Sequence, residues 1–484
     1  MNTSNEDLPQ VLSQINTWKW PRSDLNAWIK VLNKFDVILE ECIHDYDVDK
    51  LQIREFSPDV KKTLSEILRF ERLLLENSTN RKMFNSYDVR AISLRSDKRP
   101  PNSMTILQRL NSLLFTMDLD ILVLTLHLLL RPSQQYSAQP AVTHALNIST
   151  PRLRSLAKRW PNLREYNVSL VNLINEKGSP EVEALPPEAR EVNYSFYRTR
   201  SQEKEKKEEK QDEGDVFNTS QTPTKSTNTG STANSGAVKV HIDQRALESK
   251  DAMVLLAEAI EEYSVPPEDK FELLCRIRAA RVLAKGKAAE REKLVIIRLL
   301  SVAIFGHTHN ESQAMSSLFI YEPDLIGHVA ELLQLDAGVS VTVQTAAIAA
   351  LDALARYRTK MQEVLTAVNA GVNHGVLMAL LRKTISDVSN SDCKLPHSFV
   401  EALLAFVTFI ASHPAGGNMI VGAGLVPLLV QVIGNKLPDR LPVVSKTMQL
   451  VDNVLYSFTN AFQLFCAGRG VETLVDRIEV NFRM

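Results

Sequence analysis

The sequence is poor in cysteine, glycine and aromatic residues. Its four cysteines (Cys42, Cys275, Cys393 and Cys466) are far apart and lack the C-x-x-C spacing of zinc sites and disulfide frameworks. Aromatic residues make up 6% of the chain, and 17 glycines among 484 residues are few for an all-β protein. The composition therefore predicts a helical protein of a reducing compartment.

The sequence also lacks a charge imbalance and a long apolar run. The formal net charge is −1, so the chain as a whole is not expected to bind nucleic acid or a membrane surface. Its most apolar run, residues 121–130, is too short to span a bilayer, and the first ten residues are unlike a signal peptide. We predict a buried core helix at 121–130 and no membrane partner.

Apolar residues recur at helical spacing on both sides of a polar segment. Residues 1–198 are predicted to form an N-terminal helical repeat region, with an extended segment from Glu191. Residues 199–236 contain only two large apolar side chains, which is typical of a disordered low-complexity linker. From about Val238, residues 237–484 are predicted to be helical to the end.

A repeated helix entrance appears near the C-terminus. In "VGAGLVPLLVQVI", Gly422 and Gly424 precede an apolar helix with Pro427 in its first turn, where proline is tolerated. A similar pattern starts at Gly470, and matching Gly424 to Gly470 gives a period of 46 residues. Periods of about 40–47 residues are typical of armadillo and HEAT arrays. We therefore predict an all-α, armadillo/HEAT-like α-solenoid.

The final hundred residues resemble armadillo repeats, with a short helix, a glycine turn, a second helix, and then "PVVSKTMQLVDNVLYSF" as a third. A longer likeness includes "INTWKWPRSDLNAWIKVLNKFDVILEE", "YSVPPEDKFELLCRIRAARVL" and "SFVEALLAFVTFIASHP". These stretches are similar, in the same order, to the N-terminal region of the giant HECT-type ubiquitin ligases, the Huwe kind of animals and the Tom kind of fungi.

This resemblance implies a non-catalytic scaffold that presents substrates. It implies as partners the remaining repeats and HECT domain of a parent ligase, and protein substrates such as basic nucleic-acid-binding proteins. Ubiquitin and the conjugating enzyme would be contacted only through the HECT domain, whose Leu-Pro-x-x-His-Thr-Cys-like segment does not occur here. The resemblance also implies a nuclear and cytoplasmic location.

Few residues suggest chemistry. Cys275 lies among arginines but also among apolar residues, and His307 and His309 lack a third metal ligand at useful spacing. We therefore assign no catalytic, cofactor-binding or metal-binding residue and expect no cofactor. Whether the chain has any enzymatic activity of its own is left open.

Two basic stretches are the candidate partner-binding sites. They could be solvated helix faces, or they could bind acidic segments or nucleic acid. The candidate residues are Arg152, Arg154, Lys158 and Arg159 in the first stretch, and Arg278, Arg281 and Lys285 in the second.

A stand-alone armadillo adaptor or nuclear-transport-type peptide-binding protein is the alternative function. Import receptors of that kind carry a ladder of tryptophans in their repeat groove. The four tryptophans of this chain all precede residue 199, which disfavours the alternative without removing it.

The composition of residues 199–236 leads to a first prediction. We expect limited proteolysis to cut this segment first and to leave two helical fragments, because the segment has almost no apolar surface to bury. Mass spectrometry of the early fragments locates the cuts. Early cleavage within 400–480, with 199–236 protected, would contradict the predicted domain division.

Overall fold

A computed structural model describes most of the C-terminal part of the chain and segments of the N-terminal part. It covers residues 113–114, 118–135, 140–158, 191–197, 237–285, 288–309, 315–390 and 392–483. The predicted helices before residue 113 and the predicted linker at 199–236 lie outside the described residues.

The described residues form seventeen α-helices and two β-strands. The helices are α1 (Leu119–Gln135), α2 (Pro140–Ala157), α3 (Gln244–Ser249), α4 (Ala252–Tyr263), α5 (Pro267–Lys285), α6 (Ala288–His309), α7 (Ser316–Tyr321), α8 (Leu325–Glu331), α9 (Val341–Arg356), α10 (Met361–Ala367), α11 (Val376–Ser389), α12 (His397–Ala411), α13 (Pro414–Gly422), α14 (Leu425–Ile433), α15 (Leu441–Ser457), α16 (Thr459–Ala467) and α17 (Gly470–Arg483). The strands are β1 (Val192–Tyr197) and β2 (Ala237–Ile242). The predicted all-α class is confirmed.

The described residues belong to two compact units. The first, called here the strand unit, contains residues 191–197 and 237–285. The second, called the repeat unit, contains the described residues between 113 and 158 together with those from 288 onward. Because much of 1–198 and all of 199–236 lie outside the described residues, the three-part division at residues 198 and 236 stays a prediction.

The strand unit contains an antiparallel pair of strands. Val192 pairs with Ile242 and Tyr197 pairs with Ala237. The extended segment predicted from Glu191 is confirmed, whereas the prediction that the chain is helical from about Val238 is wrong at β2. The reason is an alternation with period two, since Val240 is buried and its neighbours on either side are exposed.

One aromatic side chain anchors the strand pair to α5. The Tyr194 hydroxyl donates a hydrogen bond to the Asp269 carboxylate at 2.6 Å, and the Arg276 guanidinium lies 4.9 Å from the centre of the Tyr194 ring. Burial, and then the bond to Asp269, raises the pKa of Tyr194. The hydroxyl therefore stays protonated and acts as a fixed donor.

Helix α6 is the central helix of the repeat unit and packs against α1, α2 and α9. Ala303, Ala349 and Ala353 form a buried cluster between α6 and α9, and a Cβ added to Gly306 would lie 2.9 Å from the Ala353 Cβ. Small side chains therefore let the two helix backbones approach closely. The alanine-rich sequence of α9 suits this close packing.

The apolar run at 121–130 forms the buried part of α1, as predicted. Two prolines, Pro132 and Pro151, lie inside helices. Helix α1 continues three residues past Pro132, and α2 begins eleven residues before Pro151. Proline removes only one backbone donor, so these helices continue at the loss of a single hydrogen bond each.

Beyond α6 the helices follow one repeating order of a short helix, a second helix and a third, longer helix. The first three sets are α7–α8–α9, α10–α11–α12 and α13–α14–α15, and α16–α17 begins a fourth. The third helices α9, α12 and α15 pack in succession, and α14 packs against both α11 and α17. Each helix thus buries its apolar face against the adjacent set, as in an α-solenoid.

A left-handed residue follows the first helix in three successive sets. Asn369, Gly424 and Arg469 all have left-handed backbone conformations, with φ of 48°, 98° and 59°. Each donates its backbone N–H to the carbonyl three residues earlier, at 3.0 to 3.2 Å. Gly424 and Arg469 lie directly before α14 and α17, so the same sharp turn connects the helices in the last two sets, whereas Asn369 is followed by a longer connection to α11.

This geometry corrects the predicted period. Arg469, not Gly470, is the equivalent of Gly424, so the last two sets are 45 residues apart. Gly470 is the first residue of α17 and is needed for space, because an added Cβ would lie 2.5 Å from the Phe465 ring. Gly422 ends α13 in an ordinary helical position.

The left-handed turn leads to a second prediction. Gly424→Val should lower the free energy of unfolding by about 1–3 kcal/mol, since a β-branched residue is strained at positive φ. The nearest atom to an added Cβ at this site is the Asn373 Oδ1 at 3.7 Å, so the strain arises from the backbone and not from a clash. Chemical denaturation followed by circular dichroism measures the change.

Gly422→Val is the matched control, because no atom lies within 4 Å of an added Cβ and the backbone there is helical. We expect the control to change stability by less than about 1 kcal/mol. Equal losses at the two positions would contradict the assignment of the turn to Gly424.

Candidate functional site

The first predicted basic stretch lies on α2. Arg154 is exposed there, and Arg152 and Lys158 are half-buried. Arg159 lies outside the described residues. These residues remain predicted partner-binding residues.

The second basic stretch lies on α5, in the strand unit. Arg278 is only 2% exposed, and burial lowers the pKa of its guanidinium, so a surface ligand cannot reach it. The guanidinium of Arg281 donates a hydrogen bond to the Lys250 carbonyl. Lys285 is the last residue of α5. Arg278, Arg281 and Lys285 therefore do not form one exposed face of α5, because Arg278 is buried.

Cys275 and His307, which the sequence analysis considered as catalytic and metal-binding candidates, lie inside the packed helices. Cys275 is buried, and the His307 Nε2 lies 3.5 Å from the Asp352 carboxylate inside the repeat unit. Burial, together with the nearby charge of Arg356, lowers the pKa of His307 to about 3. The part of the chain that the structure describes contains no group of three potential metal ligands.

None of the described helices is long and apolar enough to cross a bilayer on its own. The pair α12 and α13 reaches the required length and hydropathy only across a bend of 115°.

A cluster of charged groups joins four helices of the repeat unit. The Glu322 carboxylate, buried after α7, accepts hydrogen bonds from Arg298 on α6 and from His328 on α8. Arg298 also donates its Nε–H to the carbonyl of Ala157, the last residue of α2, at 3.2 Å. The cluster therefore fixes α2, α6, α7 and α8 relative to one another.

The cluster holds Glu322 in its ionised form. Burial alone would raise the pKa of Glu322, but the charge of Arg298 and the hydrogen bonds from His328 and Arg298 outweigh it. The resulting pKa is about 2, below the ordinary value of 4.5. The cluster is a structural crosslink between these helices.

An exposed apolar row runs along α17. Val471, Val475 and Ile478 are 48%, 52% and 51% exposed, and their i, i+4, i+7 spacing places them on one side of the helix, which we call the α17 face. Large apolar side chains grouped on one surface usually mark an interaction site. The α17 face is therefore the strongest candidate site in the described residues.

The preceding set shows how such a row is normally covered. The residues 45 positions earlier, Val426, Val430 and Ile433 of α14, are 1%, 8% and 0% exposed. Helix α14 packs against α15, α16 and α17, which follow it in the chain. The α17 face thus repeats, one set later, an apolar row that is buried on α14.

The position of Cys466 in the repeat predicts burial, but the structure places this residue at the surface. Its place in the repeat predicts a buried small residue, and its equivalent Val421 is indeed buried. Cys466 itself is exposed on α16.

An acidic row lies beside the apolar one. Glu472, Asp476 and Glu479 each follow a residue of the apolar row by one position, and all three are exposed. Sequence reasoning missed this acidic row. Its signal is the i, i+4, i+7 spacing, which places the three carboxylates on one side of a helix.

The chain is similar to known proteins over most of its length. Residues 106–386, more than half of the chain, match the family described as Domain of Unknown Function, DUF908. The chain belongs to this family.

Several ubiquitin ligases are similar to the DUF908 chain over nearly its whole length. It is 25% identical to E3 ubiquitin-protein ligase ptr1 of Schizosaccharomyces pombe over 99% of the chain and 13% of that protein. It is 26% identical to E3 ubiquitin-protein ligase UPL2 of Arabidopsis thaliana over 96% of the chain and 11% of that protein. For E3 ubiquitin-protein ligase HUWE1 of Mus musculus the values are 24%, 98% and 10%.

These relatives confirm the predicted resemblance to giant ubiquitin ligases. The chain spans between 10% and 13% of the length of the three proteins named above. It therefore corresponds to one region of a much larger type of protein.

The Glu322 cluster leads to a third prediction. Because the folded-state pKa of Glu322 lies below its ordinary value, its ionisation stabilises the fold above about pH 4.5. This stability is lost as the pH falls from 4.5 towards 2. Glu322→Gln should lower the free energy of unfolding by about 3 kcal/mol at pH 7, and the difference from the unmodified chain should shrink below pH 4.5.

Denaturant titrations at pH 7, 5, 4 and 3 test this dependence. Glu363→Gln is the control, since Glu363 forms a more exposed pair with Lys360 at 2.5 Å. We expect the control to lose less than about 1 kcal/mol at any pH. A Glu322→Gln deficit that stayed constant down to pH 3 would show that the ion cluster is not its source.

Proposed function

We propose that this chain is a non-catalytic scaffold region of a HECT-type ubiquitin-protein ligase, made of armadillo-type repeats that present protein substrates for ubiquitin transfer. The observation that carries the proposal is the similarity to ubiquitin ligases over 96–99% of the chain, with only 10–13% of their length involved. In this proposal the region presents substrates, and another region of the ligase performs the ubiquitin transfer.

The described structure supports a binding role for this part. Ubiquitin transfer by a HECT domain needs an accessible, activated cysteine. Cys275 is buried, and exposed Cys466 lies on α16 next to the apolar row and not in a catalytic cluster of the described residues. Stacked helices with extended exposed faces are instead suited to holding other polypeptides.

The partners follow from this role. The remaining repeats and the HECT domain of the parent ligase are the covalently linked partners. Protein substrates, with basic nucleic-acid-binding proteins as the favoured class, are the transient ones. Ubiquitin and the conjugating enzyme are engaged through the HECT domain, and the ligase acts in the nucleus and cytoplasm.

The fourth prediction is that the chain alone forms no ubiquitin thioester. Incubation with ubiquitin-charged conjugating enzyme, followed by a non-reducing gel, should give no reducible adduct, since the HECT-type Leu-Pro-x-x-His-Thr-Cys-like segment does not occur in the sequence. An adduct abolished by Cys466→Ser would assign catalysis to the chain and overturn the scaffold role.

The scaffold role itself is tested in the parent ligase with and without residues 106–386. Deletion should leave thioester formation on the HECT domain unchanged and reduce ubiquitination of bound clients by about tenfold or more, the loss expected when positioning is removed. Undiminished client ubiquitination would contradict the proposal. Imaging of the tagged ligase tests its location.

A further inference from the structure

We propose that the turn between α9 and α10 is a docking site for a short acidic segment of a partner protein. The site, called here the basic turn, consists of Arg356, Arg358 and Lys360, and Ile320 of α7 is the apolar residue that accompanies it. The inference goes beyond the proposed function, because the substrates favoured there are basic, whereas this surface selects carboxylates.

The backbone of the basic turn displays one cation at its tip. Tyr357, which directly follows α9, accepts a hydrogen bond from the Lys360 backbone N–H at 2.8 Å. This bond from i+3 to i closes a β-turn and makes Arg358 one of its two central residues. Arg358 is exposed and has no hydrogen bond or ion pair with the other residues that the structure describes. Its guanidinium is therefore open to an incoming carboxylate.

Arg356 is held in place by α9 and α12. Its Nε and Nη2 donate hydrogen bonds to the Asp352 carboxylate at 3.0 and 3.2 Å, and its guanidinium lies 4.1 Å from the centre of the Phe409 ring. Asp352 is buried, whereas the side chain of Arg356 is 34% exposed. A guanidinium fixed in this way has further N–H donors for an anion and loses little conformational entropy on binding it.

Lys360 connects the basic turn to α7. Its Nζ lies 4.2 Å from the centre of the Phe319 ring, which stacks on the Tyr357 ring with centres 6.5 Å apart. The Nζ also pairs with Glu363, whose side chain is 41% exposed. Ion pairs with so exposed a partner contribute little to stability, so the carboxylate of a binding peptide can replace Glu363.

Ile320 supplies an apolar contact next to these charges. It follows Phe319, the residue that Lys360 contacts, and is 75% exposed. Protein–protein interfaces combine an apolar centre with charged groups at the rim. A peptide with carboxylates beside an apolar side chain can therefore use both features, which a small inorganic anion cannot do.

The charge balance favours a short acidic peptide over nucleic acid. The basic turn has three positive charges, and its ion-pair partners Asp352 and Glu363 have two negative ones. Nucleic-acid surfaces need many cations that follow the phosphate backbone. A small excess of positive charge over one turn instead matches a few carboxylates.

Fluorescence anisotropy with the full chain tests the proposal. The probe is a short labelled peptide in which glutamates flank a leucine, and its binding should weaken as salt is added. Glutamine in place of the glutamates should weaken binding by about tenfold or more. Bound peptide should slow hydrogen exchange at the backbone amides of 316–321 and 356–361. No binding at millimolar peptide, or protection only elsewhere, would overturn the proposal.

Arg358→Glu identifies the surface involved. It should weaken peptide binding by about tenfold or more and leave the thermal midpoint nearly unchanged, because Arg358 is exposed. Ile320→Ser should weaken binding by about threefold or more, through loss of the apolar contact. Lys383→Glu on α11 is the matched control, since it makes the same charge change at another exposed cation, and should weaken binding by less than about twofold. Equal losses for the two charge reversals would contradict a site at the basic turn.

A single-stranded oligonucleotide with as many charges as the peptide distinguishes another class of ligand. Weaker binding of the oligonucleotide than of the peptide agrees with the proposal. Tighter binding that is lost in Arg358→Glu would assign the basic turn to nucleic acid and overturn it. None of these measurements involves ubiquitin transfer, so their failure would leave the scaffold function to be judged on client ubiquitination.

Discussion

The close approach of α6 and α9 is the contact on which the repeat unit depends. Alanines on both helices, with Gly306, bring the two backbones together, and a larger side chain at Gly306 would meet Ala353. Helix α6 also holds α1 and α2 on its other sides, so one helix joins the earlier segment to the repeats. Close-packed interiors tolerate added volume poorly, so the spacing of these two helices is strictly limited.

After α9, a left-handed backbone conformation recurs after the first helix of each set, with a different residue type each time. A left-handed residue ends each first helix, and asparagine, glycine and arginine occupy that place in successive sets. Only glycine adopts this conformation without strain, while the other two are held there by the helices packed on each side. The backbone geometry is therefore repeated more faithfully than the residue type.

Features that arise from the local spacing of residues could be predicted from the sequence, whereas features that depend on packing neighbours could not. Apolar spacing predicted the helices, the stacked order and the buried run in α1, because those features arise from local periodicity. The period was wrong by one residue because Gly424 was matched to Gly470, which is a glycine for reasons of space. The burial of Arg278, the exposure of Cys466 and the strand at 237–242 depend on which neighbours are present, and one sequence does not show this.

The pairing of Tyr197 with Ala237 has a consequence for variation in the length of the chain. Whatever polypeptide connects them leaves and re-enters the fold at adjacent backbone positions. The entropy of closing such a connection grows only with the logarithm of its length, by about 0.6 kcal/mol per doubling. A change in the length of the connection between these two residues should thus change its closing entropy only weakly.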